Sequence, residues 1–317
     1  MNIRFWGARG SLPTPLTSEG FKAKALNILR DANGQDLSTK EARLRFFQSL
    51  EPLQKRLIGG NTSCVQLTVN DTIFIFDMGS GLKRLGNHIL SLPGADKGFE
   101  IHIFQSHTHW DHIMGFPFFT PAFFSQHTII FHSPFPDFRE RLEVQQDSRF
   151  FPVDLDDMAS TKKFNTLDIN GTHTIEGITV KTIELNHPGT SCGYRVESNG
   201  KSFVYTTDSE FKDLSPENTQ KYTDFFAGAD VLTFDSQYTL LEAVHHKKDW
   251  GHSSAIIGID LCAEVGVKTM LLYHHEPEND DATIKSLLDE AQQYKSIHYP
   301  KSPLKLQIAY EGLEIEL

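Results

Sequence analysis

Residues 104–117 read FQSHTHWDHIMGFP, and a span of six within them, His107 to His112, carries four side chains able to hold a metal ion: His107, His109, Asp111 and His112. Imidazole nitrogens and carboxylate oxygens suit zinc and other borderline divalent ions, and a His-x-His pair at a strand end directs both rings toward one position. Asp111 and His112, one turn further on, face a neighbouring position, so the run can floor two adjacent sites. A strand end that merely carries polar residues explains one histidine well, but not three histidines with an aspartate.

The run is similar to the His-x-His-x-Asp-His signature of the metallo-β-lactamase superfamily, and Gly115 stands where many members carry glycine. The chain resembles in particular the phosphodiesterase and ribonuclease Z-like branch. That resemblance implies an α/β fold, a four-layer αβ/βα sandwich, with a two-metal centre. Two metals need more donors than one loop supplies, and three later strand-like runs end on candidates. Residues 178–185 lead into NHPG with His187, residues 202–206 into TDSE with Asp208, and residues 269–273 into His274 and His275. The family's motif order matches His187, Asp208 and His274. It implies His107, His109 and His187 on one ion, Asp111, His112 and His274 on the other, and Asp208 between them, since a carboxylate can turn one oxygen to each. His275 is the alternative to His274. The Leu-Leu-Tyr run before His274 matches the family's strand, and adjacent strand residues face opposite ways.

The same resemblance gives Asp77, in the DMGSG segment, the task of orienting the metal-binding loop, a support that metal-holding histidines commonly need. Asp77 also reads as a cap for the helix expected over residues 82–90. WGHSS, residues 250–254, resembles the Gly-His-Ser-Thr-like element of ribonuclease Z relatives. It implies that His252 donates a proton to the leaving group, so that His252 and Asp111 are the residues expected to take part in catalysis. Read alone, His252 simply precedes a helix over residues 253–264. Two divalent ions are the expected cofactors. Zinc is the first choice, and manganese and iron accept the same donors. Two such ions can lower the pKa of a shared water and clamp phosphodiester oxygens.

Composition sets the limits. The chain has 317 residues, enough for one full core, and its 39% hydrophobic and 22% charged content is that of an ordinary globular protein. A single domain over 1–317 is expected. A net charge of -11 argues against extended nucleic-acid binding, which needs clustered Lys and Arg. MNIRFWGARG enters a strand pattern directly and no apolar run approaches a membrane span, so a cytoplasmic location and no membrane partner are expected. Cys64, Cys192 and Cys262 are scattered and odd in number, which reads as reduced, buried thiols.

Along the chain, a first strand (residues 3–6) leads into GARGSLPTP, with Arg9 and Ser11. This loop and GGNTS at 59–63 resemble segments that border the site in the family. Between them lies an insertion, residues 16–58. Phe21, Ala25, Ile28 and Leu29 recur at helical spacing, as do Ala42, Phe46, Phe47 and Leu50, with Asn33-Gly34 as the break. The insertion carries eight basic and five acidic residues, net +3. A helical cap that restricts the substrate to something small is one reading, and a homodimerisation hairpin is the other; either requires its apolar face to be buried. Strands are expected over 65–69, 73–77, 101–105 and 128–132, and a helix over 137–144. The crowd of Phe116, Phe118, Phe119, Phe123 and Phe124 reads as core rather than as a wall for stacking substrate.

The expected activity is that of a phosphodiesterase acting on a small phosphodiester, cyclic nucleotides included. The alternatives are a ribonuclease Z-like RNA endonuclease and a non-catalytic metal-binding or ligand-sensing protein. The acidic balance and the His-Glu-Pro that follows His274 speak against the RNA enzyme. The complete donor set with His252 speaks against a silent site.

Overall fold

The computed structural model describes residues Met1–Leu317. Its first six strands are β1 (Asn2–Gly7), β2 (Cys64–Val69), β3 (Thr72–Phe76), β4 (Glu100–Phe104), β5 (Thr128–Ser133) and β6 (Thr161–Thr166). Those that follow are β7 (Thr172–Ile175), β8 (Ile178–Leu185), β9 (Ser191–Ser198), β10 (Lys201–Tyr205), β11 (Val231–Asp235), β12 (Thr269–Tyr273), β13 (Lys305–Ile308) and β14 (Glu314–Glu316). They form two seven-stranded sheets, ordered β14-β1-β2-β3-β4-β5-β6 and β13-β12-β11-β10-β9-β8-β7. β3 to β6 run parallel in the first sheet, as do β10 to β13 in the second. A hairpin at Asn70-Asp71 joins β2 to β3 with both residues at positive φ, the conformation that a tight two-residue turn demands.

Period-2 alternation on strands and apolar stripes on helices produce the layers. Phe5, Phe74, Phe76 and Phe104 of the first sheet meet Tyr194, Phe203, Tyr205 and Tyr273 of the second in the central core. Phe76 stacks on Phe104 at 5.3 Å and leans on Tyr205 at 5.2 Å. Burying each such ring contributes about 1.5–3 kcal/mol. Outside the first sheet lie α3 (Leu82–Ser91), the one-turn α4 (Trp110–Ile113) and α5 (Phe138–Gln145). Of the aromatic run expected in the core, Phe116 and Phe119 are buried there, whereas Phe118, Phe123 and Phe124 are exposed. Outside the second lie α6 (Pro216–Phe226), α7 (Ala255–Cys262) and α8 (Asp281–His298). The result is the four-layer αβ/βα sandwich. The three cysteines are free and buried, and no helix is long and apolar enough to cross a membrane.

Two helices occupy the 16–58 segment, α1 (Ser18–Asp31) and α2 (Lys40–Ser49), each started by a threonine whose side chain accepts a hydrogen bond from the first turn. Their expected burial is not met. α1 buries no residue, α2 buries only Ala42, and Phe21, Leu26, Leu29, Leu44 and Phe47 are exposed. The segment is tethered at its C-terminal end, where Ile58 packs with Ile284 and Ile308, and by polar contacts: the Lys24 ammonium reaches Asp281 at 2.7 Å, and Arg56 meets Tyr310. None of the hydrogen bonds to the histidines and aspartates described below comes from these residues.

Two histidines sit inside the first sheet. His102 Nδ1 and His132 Nε2 lie 3.0 Å apart, and burial, with His102 and His173 adding to it, pushes the His132 pKa down to about 3. An unfolded histidine titrates near pH ~6.5, so between those values the unfolded chain binds a proton that the folded one does not, and stability falls as pH drops through that window. His132→Phe removes this proton uptake. Relative to the parent, the variant is expected to gain about 2 kcal/mol between pH 7 and pH 5 in urea unfolding; parallel stability curves over that range would show that His132 titrates alike in the folded and unfolded chain.

Candidate metal centre

The parallel strands of both sheets deliver their C-terminal ends to one edge of the sandwich, where α/β sheets commonly place their sites. Asp77 follows β3, His107 to His112 follow β4, His187 follows β8, Asp208 follows β10 and His274 follows β12. Apart from the half-exposed His109, these side chains are buried. All seven expected metal-facing residues converge. His107, His109, His187 and Asp208 form one cluster, and Asp111, His112 and His274 form a second, with their ligand atoms within 4.8 Å of one another.

Asp208 lies between the clusters. Its Oδ2 is 3.5 Å from His107 Nε2 and 3.7 Å from His187 Nε2, while its Oδ1 is 3.2 Å from both His112 Nε2 and His274 Nε2. Asp111 Oδ2 is 3.2 Å from the same two nitrogens of His112 and His274, and it accepts the Ser11 backbone N–H at 2.7 Å. Of the two adjacent histidines, only His274 joins; His275 turns the other way, with Nε2 2.9 Å from the Ala309 carbonyl. His274 adopts a left-handed φ of 59°, a strained conformation of the kind found at functional sites.

Hydrogen bonds behind the rings decide which nitrogen faces inward. His112 Nδ1 is 2.7 Å from Asp77 Oδ2, His187 Nδ1 is 2.8 Å from the Gly251 carbonyl, and His274 Nδ1 is 2.9 Å from Gln237 Oε1. Each partner is an acceptor, so each Nδ1 carries the proton. His107 follows by one more step. Ser106 Oγ donates its only proton to Asp77 at 2.7 Å, so it must accept from His107 Nδ1 at 3.0 Å. In their neutral form all four rings therefore point bare Nε2 lone pairs at the centre, the arrangement metal-holding histidines use. Nε2 of His107 is buried with no hydrogen-bond partner at all.

The electrostatics ask for positive charge in the same place. Burial opposes a charge on His112, yet Asp111, Asp208 and Asp77 outweigh it and raise its pKa well above the ordinary value. Burial dominates at His107 and, with His112 beside it, keeps the ring neutral. For Asp208, burial works against ionisation, but His112, His274 and His107 hold its carboxyl well below the usual range. A nest of imidazole nitrogens and ionised carboxylates, which the chain by itself balances only by pressing a proton onto His112, fits divalent metal ions.

At the rim stands His252, stacked on His274 at 5.0 Å and edge-on to His187 at 5.3 Å. Its Nδ1 is 2.9 Å from Asp235 Oδ2. Burial would lower its pKa, but Asp235, with Asp208 and Asp111 behind it, raises it to about 9. The ring precedes α7, whose N-cap Ser254 closes the first turn, so His252 is both a helix-entry residue and a member of the site. Gly251 is required here: at φ 86° a side chain would be strained, and its Cβ would lie 2.2 Å from His187 Nδ1.

Of the loops expected at the rim, 7–12 arrives through Ser11, whereas Arg9 turns away. Its guanidinium staples the carbonyls of Gly59, Glu276 and Asn279. GGNTS acts one step back, through Thr62 and Asn61 on Ser80. Sequence reading missed Asp235, Gln237 and the Gly251 carbonyl. Asp235 alone left a signal, as an acid closing the apolar VLTFD strand.

Two packed sheets with histidines and aspartates gathered at one edge define a protein of the metallo-β-lactamase fold. Residues 82–275 match the model of a family described as the beta-lactamase superfamily domain, and the chain belongs to that superfamily, whose members are metal-dependent hydrolases. Over 102 residues it is 31% identical to ribonuclease Z of Brevibacillus brevis (strain 47 / JCM 6285 / NBRC 100599), a match covering 30% of this chain and only 28% of that relative's length. Among solved structures it resembles the metallo-beta-lactamase fold protein YhfI from Bacillus subtilis, with TM-score 0.64 and 16% identity over 100% of this chain and 98% of that one. It also resembles a diphosphatase from the PhnP family, with TM-score 0.61 and 16% identity over 100% and 97% of the two chains. At these identities the structural likeness speaks for the fold.

Asp77 carries the orientation of His112 and, through Ser106, of His107. Asp77→Asn keeps the shape but cannot accept every donor. It is expected to weaken zinc binding about 10- to 100-fold in competition with a chelator; unaltered affinity would mean that packing alone holds the rings.

Proposed function

We propose that the protein is a binuclear metal-dependent phosphodiesterase acting on a small nucleotide phosphodiester, cyclic nucleotides included. The observation that supports it most is the position of Asp208, which turns one oxygen toward the His107 and His187 nitrogens and the other toward those of His112 and His274. In this reading His107, His109 and His187 would hold one ion, Asp111, His112 and His274 would hold the other, and Asp208 would serve both; zinc suits the donors best, and manganese or iron also fit. When bound, such a pair of ions supplies an activated water and neutralises charge on a phosphoryl group.

The chain's own residues do the rest. Cys64, Cys192 and Cys262 lie in the packed cores and take no part, and the nucleophile in this reading is water. Thr207 Oγ1, 2.6 Å from Asp208 Oδ1, and the Ser11 N–H on Asp111 hold the two carboxylates in register. As water adds to phosphorus and the bond to the leaving oxygen breaks, that oxygen needs a proton. His252 is placed to give it: its pKa of about 9 keeps it protonated at neutral pH, and Asp235 fixes Nδ1–H so that Nε2–H faces the site.

The ribonuclease Z similarity favours an RNA endonuclease as the second reading. The net charge of -11 stands against it, because gripping an RNA chain relies on neutralising several phosphates at once.

Two substitutions separate the roles. Asp208→Ala is expected to lower occupancy of both metal positions together, measured as metal per chain after dialysis; retention of two tightly held ions would remove Asp208 from the bridge. His252→Ala should leave metal content intact and slow phosphodiester turnover about 100- to 10,000-fold, most for poor leaving groups. Equal loss across leaving groups of different pKa would place the proton donor elsewhere.

A further inference from the structure

A second group of metal-competent side chains lies away from the catalytic edge. Glu100 and His102 occupy alternate positions of β4 and so share a face, and the turn between β7 and β8 brings Glu176 against them from the opposite sheet. The ligand atoms of the three lie within 4.8 Å of one another. His102 lies back along β4 from His107, up to about 17 Å away along extended chain, so the group is separate from the centre described above.

Exposed glutamates are ordinary, and His102 is what sets these two apart. Its side chain is only 3% exposed. Nδ1 is committed to His132 Nε2 at 3.0 Å, whereas Nε2 makes no hydrogen bond and looks toward Glu100 Oε1 at 3.7 Å. A buried polar atom normally has a partner. His132 Nδ1, which also lacks one, is closed in by the core. His102 Nε2 instead faces the mouth between two solvent-exposed carboxylates, where a small ion can reach it.

The protons of the two rings are linked. Burial keeps both rings neutral at neutral pH, so a single proton lies between His102 Nδ1 and His132 Nε2. If His132 donates it, His102 Nε2 carries a hydrogen; if His102 donates it, Nε2 presents a bare lone pair. His132 Nδ1 goes unpaired in either case, as a bare nitrogen or as an N–H, so the core does not choose between the two forms. Whatever stands in front of His102 Nε2 decides. The charges that act on the ring are Glu100 and Glu176 against Lys163, a negative balance that draws a cation.

We propose that Glu100, His102 and Glu176 bind a divalent ion of the zinc class, with His102 Nε2 and one oxygen of each glutamate as donors. An imidazole with two carboxylates suits zinc, and the open mouth leaves a position for water. Binding moves the proton of each ring from Nε2 to Nδ1, so that His102 becomes the donor to His132 and no proton is lost. The ion ties the β7–β8 turn to β4, one sheet to the other, and its role is structural rather than hydrolytic.

Equilibrium dialysis against buffered free zinc, on protein whose catalytic centre is already loaded, tests the site. The parent is expected to take up one zinc per chain that Glu100→Gln and Glu176→Gln each bind at least about 10-fold more weakly, since losing even a group behind a ligand costs that much. Both glutamates are exposed and neither belongs to the catalytic centre, so fold and centre are left intact. The difference between parent and variants is the same whether that centre takes one ion or two. Equal uptake by all three proteins overturns the proposal. Nitrogen-15 NMR of the histidine rings gives a signature that surface acids alone cannot: zinc should convert His102 and His132 together to their Nδ1–H forms. Uptake that depends on the glutamates but leaves both rings unchanged means that carboxylates hold the ion without His102, and it overturns the site as well.

Discussion

The carboxylate of Asp77 is the fixed point of the molecule. It is fully buried, and it accepts from Gln105 Nε2, the Ser106 N–H, Ser106 Oγ, His112 Nδ1 and Tyr205 Oη, at 2.7 to 3.0 Å. Four of these donors belong to the segment that leaves β4, and the fifth belongs to β10 of the opposite sheet. A buried charge is tolerable only when it is fully hydrogen-bonded, and here the same bonds that satisfy it also dock the two sheets and aim two site histidines. Asp77 adopts a φ of 60°, a left-handed turn that costs of order 1 kcal/mol or more for a residue with a side chain. That strain is offset by the number of donors the turn brings within reach.

Much of this was legible from residue order. The His-x-His-x-Asp-His run and the helix that follows Asp77 are local patterns, each depending on a period or a turn within a few residues. His187, Asp208 and His274 end strand-like runs, but it was their resemblance to the family's motif order that singled them out, and the Leu-Leu-Tyr run that put His274 ahead of His275. What stayed hidden was pairing across the chain. Asp235 behind His252, Gln237 behind His274 and Tyr205 against Asp77 are ordinary residues until the fold brings them together.

The insertion shows the opposite failure. Helical spacing correctly located α1 and α2, but periodicity identifies an apolar stripe without naming what covers it, and here the chain covers little of it: Ala42 and Leu50 are buried, whereas Phe21, Leu29 and Phe47 are exposed. Crowding in sequence did not sort the aromatic residues either. Phe116 and Phe119 of the dense run are core, whereas Phe118, Phe123 and Phe124 of the same run are exposed, because the run folds into two short helical turns whose sides face different ways.

His109 meets His187 across 78 residues of chain, and His112 meets His274 across 162. Loop-closure entropy grows only with the logarithm of length, so the longer closure costs only about 0.6 kcal/mol more than the shorter. The two halves of the centre are thus nearly equal as staples, and a ligand group gripped by either one ties the two sheets together as a crosslink would. Metal held there would add a crosslink to sheets that a packed core already joins, so the metal-loaded chain would resist proteolysis better than the metal-free one.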